Sequence, residues 1–380
     1  VREKGVDENT ILKELEDAAQ KNVPYGRVLS SMCTAPHPIA LKAYKDFIVS
    51  NLGDPKLFPG TASLEHACIG MLGELLHLPS AVGYITTGGT ESNIQALRTA
   101  RQLKQVDPGK ANIVLPDSAH YSFEKAAQML GVQLKRASLD EDLKADVDAM
   151  AELVDSNTIA LVAVAGTTEF GQIDPVPEIS KLALDEDLFL HVDAAFGGFV
   201  IPFLEDAAKY KFDFELPGVQ SIAIDPHKMG MSIIPSGGLL YRDKRFMKML
   251  EINAQYLTSQ VQSSLAGTRS GASAAGTYAV MRYLGNEGYR RIVSNCMDNT
   301  MLLYHKLKGL GLEPVIKPVL NIVTFKVSDA QIVRKQLCDL NWYVSTTTHP
   351  EALRMVVMPH ATERVIEAYA ADLKHILDVV

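Results

Sequence analysis

The run SIAIDPHKMG, residues 221–230, places Lys228 just beyond an apolar stretch that ends at Asp225. A lysine that follows the end of a buried strand can project into a cleft at the sheet edge, where partial desolvation lowers its pKa and leaves a nucleophilic amine. A second run, LFLHVDAAFGGFVIP (188–202), carries Asp193 at the end of its apolar part, the position at which open α/β sheets bind ligands. Three chemistries suit an acid there: magnesium ligation, hydrogen bonding to a ribose, or pairing with a pyridinium. No G-x-x-x-x-G-K precedes Asp193 and no G-x-G-x-x-G lies upstream, which weakens the first two. The third needs a lysine at a neighbouring strand end, and Lys228 is available. Opposite charges about 4 Å apart are worth about 4 kcal/mol at an effective dielectric of 20, or about three pKa units. That is enough to keep such a ring nitrogen protonated at neutral pH.

Three further runs fall into place beside these. In TTGGTESN (86–93), Gly88 and Gly89 allow the backbone to approach an anion; Thr90 is expected to cap the following helix, whose free N–H groups and dipole favour negative charge. In PDSAHYSFEK (116–125), His120 follows another apolar run, where its imidazole could stack on a flat aromatic ring, and Ser122 reads as a helix cap. AGTTEFGQID (165–174) again puts hydroxyls, Thr167 and Thr168, after a strand. Taken singly, each has a plain structural explanation: a solvated lysine, a capping acid, a glycine turn, a surface histidine. All five fall at one edge of one expected sheet, and that coincidence carries the functional reading.

The elements needed to hold these groups are legible as apolar runs without polar alternation: 81–86, 111–116, 132–138, 158–165, 188–193, 219–225 and 236–242. Helical stretches at 90–105, 120–130, 144–154 and 175–186 separate several of them. Such a pattern predicts an α/β fold with a mostly parallel sheet covered on both faces, of the doubly wound kind. Ahead of it, 6–21 reads as an amphipathic helix with Ile11, Leu12, Leu15, Ala18 and Ala19 on one stripe. Residues 22–60 read as loops around a helix near 38–50, and Thr61–Leu78 as a helix capped by Thr61 or Ser63. Helices at 270–284 and 287–310 lead to a strand–helix–strand–strand–helix tail (320–327, 329–340, 341–346, 352–358, 362–379). The expected organisation is an N-terminal helical segment (1–50), a large domain (51–286) and a small α+β C-terminal domain (287–380).

Bulk properties restrict the possibilities. The 380 residues carry a formal net charge of −8 with no basic tract, which argues against a nucleic-acid partner. Hydrophobic content of 47% and charged content of 22% suit a soluble globular protein. Cys33, Cys68, Cys296 and Cys338 lack metal-ligand spacing, so neither a zinc site nor a disulfide framework is expected; a cytoplasmic location is. The opening VREKGVDENT has no apolar signal core, and no apolar run reaches membrane-spanning length.

The order TGGTE, His120, GTTEFG, HVDAAFGG, DPHKMG resembles the group II decarboxylases of amino acids that depend on pyridoxal 5′-phosphate (PLP), a fold type I, PLP-dependent transferase-like family. The likeness spans nearly the whole chain. NLGDPKLFPGT (51–61), HVDAAFGGFVIPF (191–203), DPHKMG (225–230), IPSGG (234–238) and LRMVVMPH (353–360) are similar to the archaeal branch that acts on L-tyrosine and L-aspartate. The resemblance implies that Lys228 carries PLP as a Schiff base, Asp193 keeps the pyridine nitrogen protonated, His120 stacks over the ring and Ala195 packs on its other face. It implies a phosphate site of Gly88, Gly89 and Thr90 joined by Asp225 and His227, with Thr168 near the phenolic oxygen and Arg354 reading the substrate carboxylate. It further implies a homodimer with sites at the interface, where Thr268 approaches the neighbour's phosphate. The expected products are tyramine or β-alanine with carbon dioxide, precursors of methanofuran and coenzyme A. Animal members carry a long loop with a proton-donating tyrosine; here the stretch 255–271 is short and its one tyrosine is Tyr256. Two other readings remain: a PLP enzyme that breaks a different bond, such as a carbon–carbon lyase, aminotransferase or desulfurase, and an inactive PLP-binding subunit. None of the four cysteines has an evident loop position near the site motifs, which counts against a desulfurase.

Overall fold

A computed structural model describes residues 3–104, 106–107 and 109–379. Residues 1, 2 and 380, at the ends of two expected domains, and residue 105, at the end of one expected helix, lie outside the described residues. The chain opens with α1 (Glu8–Ala19), α2 (Pro38–Asp46) and α3 (Pro59–Leu75). It continues through β1 (Val82–Thr86), α4 (Gly89–Leu103), β2 (Asn112–Pro116), α5 (Ser122–Leu130), β3 (Gln133–Ala137) and α6 (Val147–Leu153). Next come β4 (Thr158–Val164), α7 (Val176–Asp185), β5 (Phe189–Asp193), β6 (Val219–Ile224) and β7 (Gly237–Tyr241). Among the described residues these strands form one seven-stranded sheet in the order β1-β7-β6-β5-β4-β2-β3. Only β7 runs against its neighbours.

Every residue of β2, β4 and β5 is buried. A strand covered on both faces has no use for polar alternation, which is why TIALVAV reads as a continuous apolar run. Two apolar clusters lie against the sheet, one containing Leu161, Leu190 and Ile222, the other Ile113, Val162 and Leu239. Because β7 is antiparallel to both β1 and β6, the C-terminal ends of β1, β2, β4, β5 and β6 share one edge with the start of β7.

After α8 (Lys244–Lys248) and a small hairpin, β8 (Ile252–Asn253) and β9 (Val261–Gln262), comes the long α9 (Gly271–Gly309). It bends at Gly285, whose φ of 54° and ψ of −172° break the helical path, so the two expected helices meet end to end at that glycine. The C-terminal part holds β10 (Ile322–Phe325), α10 (Ala330–Asp339), β11 (Ser345–Thr348), β12 (Glu351–Val356) and α11 (Glu363–Val379), its strands antiparallel in the order β10-β12-β11. Residues near Leu29 thread along this small sheet. The Val356 N–H donates to the Leu29 carbonyl at 2.7 Å and the Tyr343 N–H to the Arg27 carbonyl at 2.9 Å.

Three helix starts differ from expectation. Pro59, not Thr61 or Ser63, begins α3, and Phe58 precedes it without a side-chain cap; a proline costs no hydrogen bond at the first helical position. Gly88 stands at the N-cap of α4, so Thr90 lies inside the first turn. Tyr121 stands at the N-cap of α5, and the Ser122 hydroxyl instead accepts from Asn93 Nδ2 at 2.9 Å. None of the residues of α1 is buried: Ile11, Leu12 and Leu15 are all exposed in the single chain.

Candidate active site

The shared sheet edge encloses a cavity of about 270 Å³. Gly88, Gly89, Thr90, His120, Thr168, Asp193, Ala195, Asp225, His227 and Lys228 all line it. Arg354, Tyr256 and Thr268 do not. A larger hollow of about 830 Å³ opens elsewhere, around Phe199, Phe203 and Tyr289, and holds none of these residues.

Asp193 closes β5 and is almost fully buried. The Ala195 N–H donates to its Oδ1 at 3.0 Å, and Asn93 Nδ2 donates to its Oδ2 at 2.8 Å. His120 follows β2, and its Nδ1 accepts the Ser122 N–H at 3.2 Å. Burial holds the imidazole below its ordinary pKa, against the opposing pull of Asp193, so the ring is neutral at pH 7. His227 is likewise lowered by burial; its Nδ1 accepts the Ser236 N–H at 3.0 Å, which leaves the proton on Nε2.

Lys228 departs from expectation. Burial presses its pKa down, but Asp225 and Asp193 together outweigh burial and hold the amine above its ordinary value. The Lys228 ammonium lies 3.2 Å from Asp225 Oδ2. The desolvated, lowered lysine read from the sequence overlooked the carboxylate three residues before it. Asp225 also accepts the Gly89 N–H, at 3.0 Å, while its other oxygen is buried without a partner. It therefore meets the α4 terminus as an acceptor.

Arg354 sits on β12 and is buried behind Thr168. Its Nε donates to the Thr168 carbonyl at 2.6 Å, and its Nη1 to the Ser30 carbonyl at 3.0 Å and Ser345 Oγ at 2.9 Å. Nη2 is buried without a partner. Burial lowers the guanidinium to about 10, with Glu169 the acid that opposes it. Tyr256 is 88% exposed at the hairpin, and Thr268 is exposed nearby. Arg269 anchors this segment by pairing with Glu65 of α3 and donating to the Leu52 carbonyl at 2.9 Å.

Several groups escaped the sequence reading. Asn93 lies one helical turn beyond Gly89, so the i, i+4 spacing could have placed it on the same face. Met32, Tyr121, Gly166 and Phe196 also line the cavity. Cys33, adjacent to Met32 in an irregular segment, lies within the charge field of Lys228 and Asp225; the expectation that no loop cysteine approaches the site is corrected. Burial raises that thiol above its ordinary pKa, which makes it a poor nucleophile.

A mostly parallel sheet with a lysine, a carboxylate and an imidazole converging at its C-terminal edge defines the fold type I class of PLP-dependent enzymes. Within it, this chain belongs to the family described as pyridoxal-dependent decarboxylase conserved domain, which matches residues 32–328. It is 67% identical over 377 residues to a probable L-tyrosine/L-aspartate decarboxylase of Methanocella arvoryzae, covering 99% of this chain and 100% of that one. A probable L-aspartate decarboxylase of Archaeoglobus fulgidus is 49% identical over 367 residues, covering 97% and 99%. Among solved structures, a sphingosine-1-phosphate lyase of Burkholderia pseudomallei superimposes with a TM-score of 0.90 at 29% identity, covering 100% of this chain and 92% of that one. A glutamate decarboxylase of Lactobacillus brevis, at 23% identity, shares the fold with a TM-score of 0.90 over 100% and 95%. The chain is a PLP-dependent amino-acid decarboxylase.

The cavity suits that cofactor. Gly88 has a φ of 144°, which side chains rarely adopt. A Cβ on Gly89 would lie 2.9 Å from that of Ala195 and 3.2 Å from Asp225 Oδ2. Bare backbone at the start of α4 thus faces the cavity as an anion cradle, with an amine, a carboxylate and a neutral imidazole around the remaining space.

Proposed function

We propose that this decarboxylase acts on L-tyrosine, L-aspartate or both, giving tyramine or β-alanine and carbon dioxide. The observation that carries the site assignment is the convergence of Lys228, Asp193 and His120 on one cavity beside the α4 terminus. The substrate assignment rests on the names carried by relatives at 67% and 49% identity. Those products would serve cofactor biosynthesis, methanofuran and coenzyme A in particular.

Bound in this cavity, PLP supplies a sink for the electron pair left when the carboxylate departs. Lys228, which lines the cavity, is the residue that would hold it covalently. Asp193 would keep the ring nitrogen protonated, and His120 and Ala195 would hold the two ring faces. Gly88, Gly89, Thr90 and His227 hold the phosphate, while Asp225 serves as counter-ion to Lys228. Thr168, which lines the cavity, would serve the ring's phenolic oxygen, and Arg354 would orient the substrate's α-carboxylate through its unpartnered Nη2. In this reading residues 51–286 form the cofactor unit and 287–380 bring Arg354 to it.

We further infer a homodimer with sites at the interface. The exposed apolar stripe of α1 supports it, as does the exposure of Tyr256 and Thr268 away from their own cavity, from which they would serve the neighbour's site. The free cysteines favour the cytoplasm. Among the described residues no helix is long and apolar enough to cross a membrane.

A panel of tyrosine, aspartate, glutamate, phenylalanine and cysteine with carbon dioxide detection, and the Lys228→Ala chain as blank, tests the assignment. Release from tyrosine or aspartate above the blank is expected. Release from neither overturns it.

A further inference from the structure

Behind Asp193 lies a buried chain of polar groups. Ser221 of β6, His191 of β5, Asn93 of α4 and Ser122 of α5 are each at most 1% exposed. His191 Nδ1 lies 2.8 Å from Ser221 Oγ, and His191 Nε2 lies 2.9 Å from Asn93 Oδ1. Asn93 Nδ2 donates both to Asp193 Oδ2, at 2.8 Å, and to Ser122 Oγ, at 2.9 Å. An ionised carboxylate only accepts, so the Asn93 amide must turn its NH₂ toward Asp193 and its oxygen toward His191. His191 must then donate from Nε2, and its Nδ1 must accept the Ser221 hydroxyl. Each donor from Ser221 to Asn93 points toward Asp193, and such aligned bonds polarise one another in a dry interior.

We propose that Asn93 and His191 are positioning residues: an oriented relay that keeps Asp193 ionised and so leaves the shared proton on the ring nitrogen of the cofactor. Donors aimed at a carboxylate lower its affinity for a proton. Without them, Asp193 competes for the proton it should hold in place on the ring. The relay also requires a neutral imidazole, and full burial draws the His191 pKa down to about 4. The titratable groups facing Asp193 are Lys228 from the turn after β6, His120 from the turn after β2, and His191 on its own strand. Of these, His191 is the one bonded directly to the Asn93 side chain that donates to Asp193. This inference rests on the reading of Asp193 as partner of the ring nitrogen.

The test compares holoenzymes loaded with ordinary PLP, with ¹⁵N-labelled PLP, and with an N-methylated analogue whose ring charge is permanent. With ordinary PLP, Asn93→Ala should lower kcat about 10- to 100-fold, the size expected for losing a hydrogen bond to a charged group. Its ring ¹⁵N resonance should move toward the unprotonated position. With the N-methylated analogue, Asn93→Ala and the parent should turn over within about twofold of each other, because no proton remains to be placed. His191→Leu should follow Asn93→Ala, while His191→Gln, which can still donate to Asn93 Oδ1, should restore the parental resonance. Should Asn93→Ala not accumulate as folded protein, the two His191 variants decide by the same comparison. An equal deficit with both cofactors, or an unmoved ¹⁵N resonance, overturns the relay and leaves Asn93 as packing. Asp193→Ala separates the two ideas: rescued by the analogue while Asn93→Ala is not, it sinks the relay alone. If Asp193→Ala is itself indifferent to the analogue, the reading of Asp193 falls and the relay with it.

Discussion

Asp225 Oδ2 lies 3.2 Å from the Lys228 amine and 3.0 Å from the Gly89 backbone nitrogen, so one carboxylate oxygen joins the lysine to the first turn of α4. Two consequences follow for the chain before it takes up cofactor. The lysine is a cation held above its ordinary pKa, and Asp225 already uses an N–H that a phosphate would seek.

Covalent uptake of PLP needs the free amine, whose share grows roughly tenfold per pH unit below the pKa. Uptake by the stripped chain should therefore quicken steeply between about pH 7 and pH 9. Asp225→Asn removes the nearest carboxylate, and a neighbouring opposite charge commonly moves a pKa by about 1–3 units. The profile should shift to lower pH, with uptake at pH 7.5 faster by about tenfold or more. Stopped-flow absorbance reads the rate; an unchanged or slower variant would show that Asp225 is not the group that holds Lys228 charged.

Gly89→Ala probes the cradle. The new methyl would meet Ala195 Cβ at 2.9 Å and Asp225 Oδ2 at 3.2 Å, and both neighbours are buried. Overpacking of this kind costs about 1–3 kcal/mol, here charged to the loaded state. The PLP dissociation constant should rise about 5- to 150-fold, with a smaller loss in melting temperature of the stripped chain. Parental affinity would remove the α4 terminus from the binding site.

Much of this geometry was legible because it is written in local patterns. A strand buried on both faces advertises itself as an unbroken apolar run, and the residues at and just past its end face the cavity, as Asp193 and Lys228 do. What stayed hidden depends on long-range packing. Nothing near Asn93 in sequence points to His191 or Asp193, and only the docking of α4 onto the C-terminal end of β5 brings them within 3 Å. The neighbourhood of Cys33 is set by the path of the chain along the small sheet near Leu29, which composition does not encode. The sign of the Lys228 shift failed for another reason: desolvation and two carboxylates oppose one another, and their balance depends on distances.

His191 should govern part of the acid response. Burial sets its folded pKa at about 4, against 6.5 for the free side chain. Between these values the unfolded chain binds the proton and the folded chain does not. The His191 contribution is therefore full above pH 6.5 and lost as pH falls toward 4, by up to about 3 kcal/mol. Asp174 works the other way: burial raises it to about 7, so its contribution declines as pH climbs from 4 to 7. In His191→Gln the Asp174 slope persists and the histidine slope vanishes. Lowering the pH from 6.5 to 5 should therefore raise its unfolding free energy in urea relative to the parent's, in which the two slopes oppose one another. Parallel profiles would mean that His191 already carries a proton in the folded chain.

Arg354 raises the question of what a buried guanidinium is for. Among the described residues neither Glu351 nor Glu363 forms an ion pair with it. Its bonds go to the Thr168 and Ser30 carbonyls and to Ser345 Oγ, and these neutral acceptors tie the turn after β4, the segment before α2 and the small sheet together. Such a clamp would explain three hydrogen bonds but not the fourth corner, since Nη2 is buried with nothing to donate to. A buried, unsatisfied cationic donor is costly; Arg354 does not itself line the cavity but bonds the Thr168 carbonyl, and Thr168 does line it, so an α-carboxylate bound beside Thr168 is the candidate acceptor. Lysine keeps the charge but lacks the planar fork, so Arg354→Lys should lose both the clamp and the grip. Loss of the clamp appears as a lower melting temperature with or without substrate. Loss of the grip appears as a fall of about 10- to 100-fold in kcat/KM for every amino acid the enzyme decarboxylates, the size expected for a charge-assisted hydrogen bond. PLP absorbance should persist, and transamination should rise as a by-product because a loosely held substrate presents its Cα–H bond instead. Kinetics at a temperature where both proteins are fully folded separate the two effects. If the rates on tyrosine and aspartate then match the parent's, Arg354 is a clamp only, and the substrate carboxylate must be held by another group.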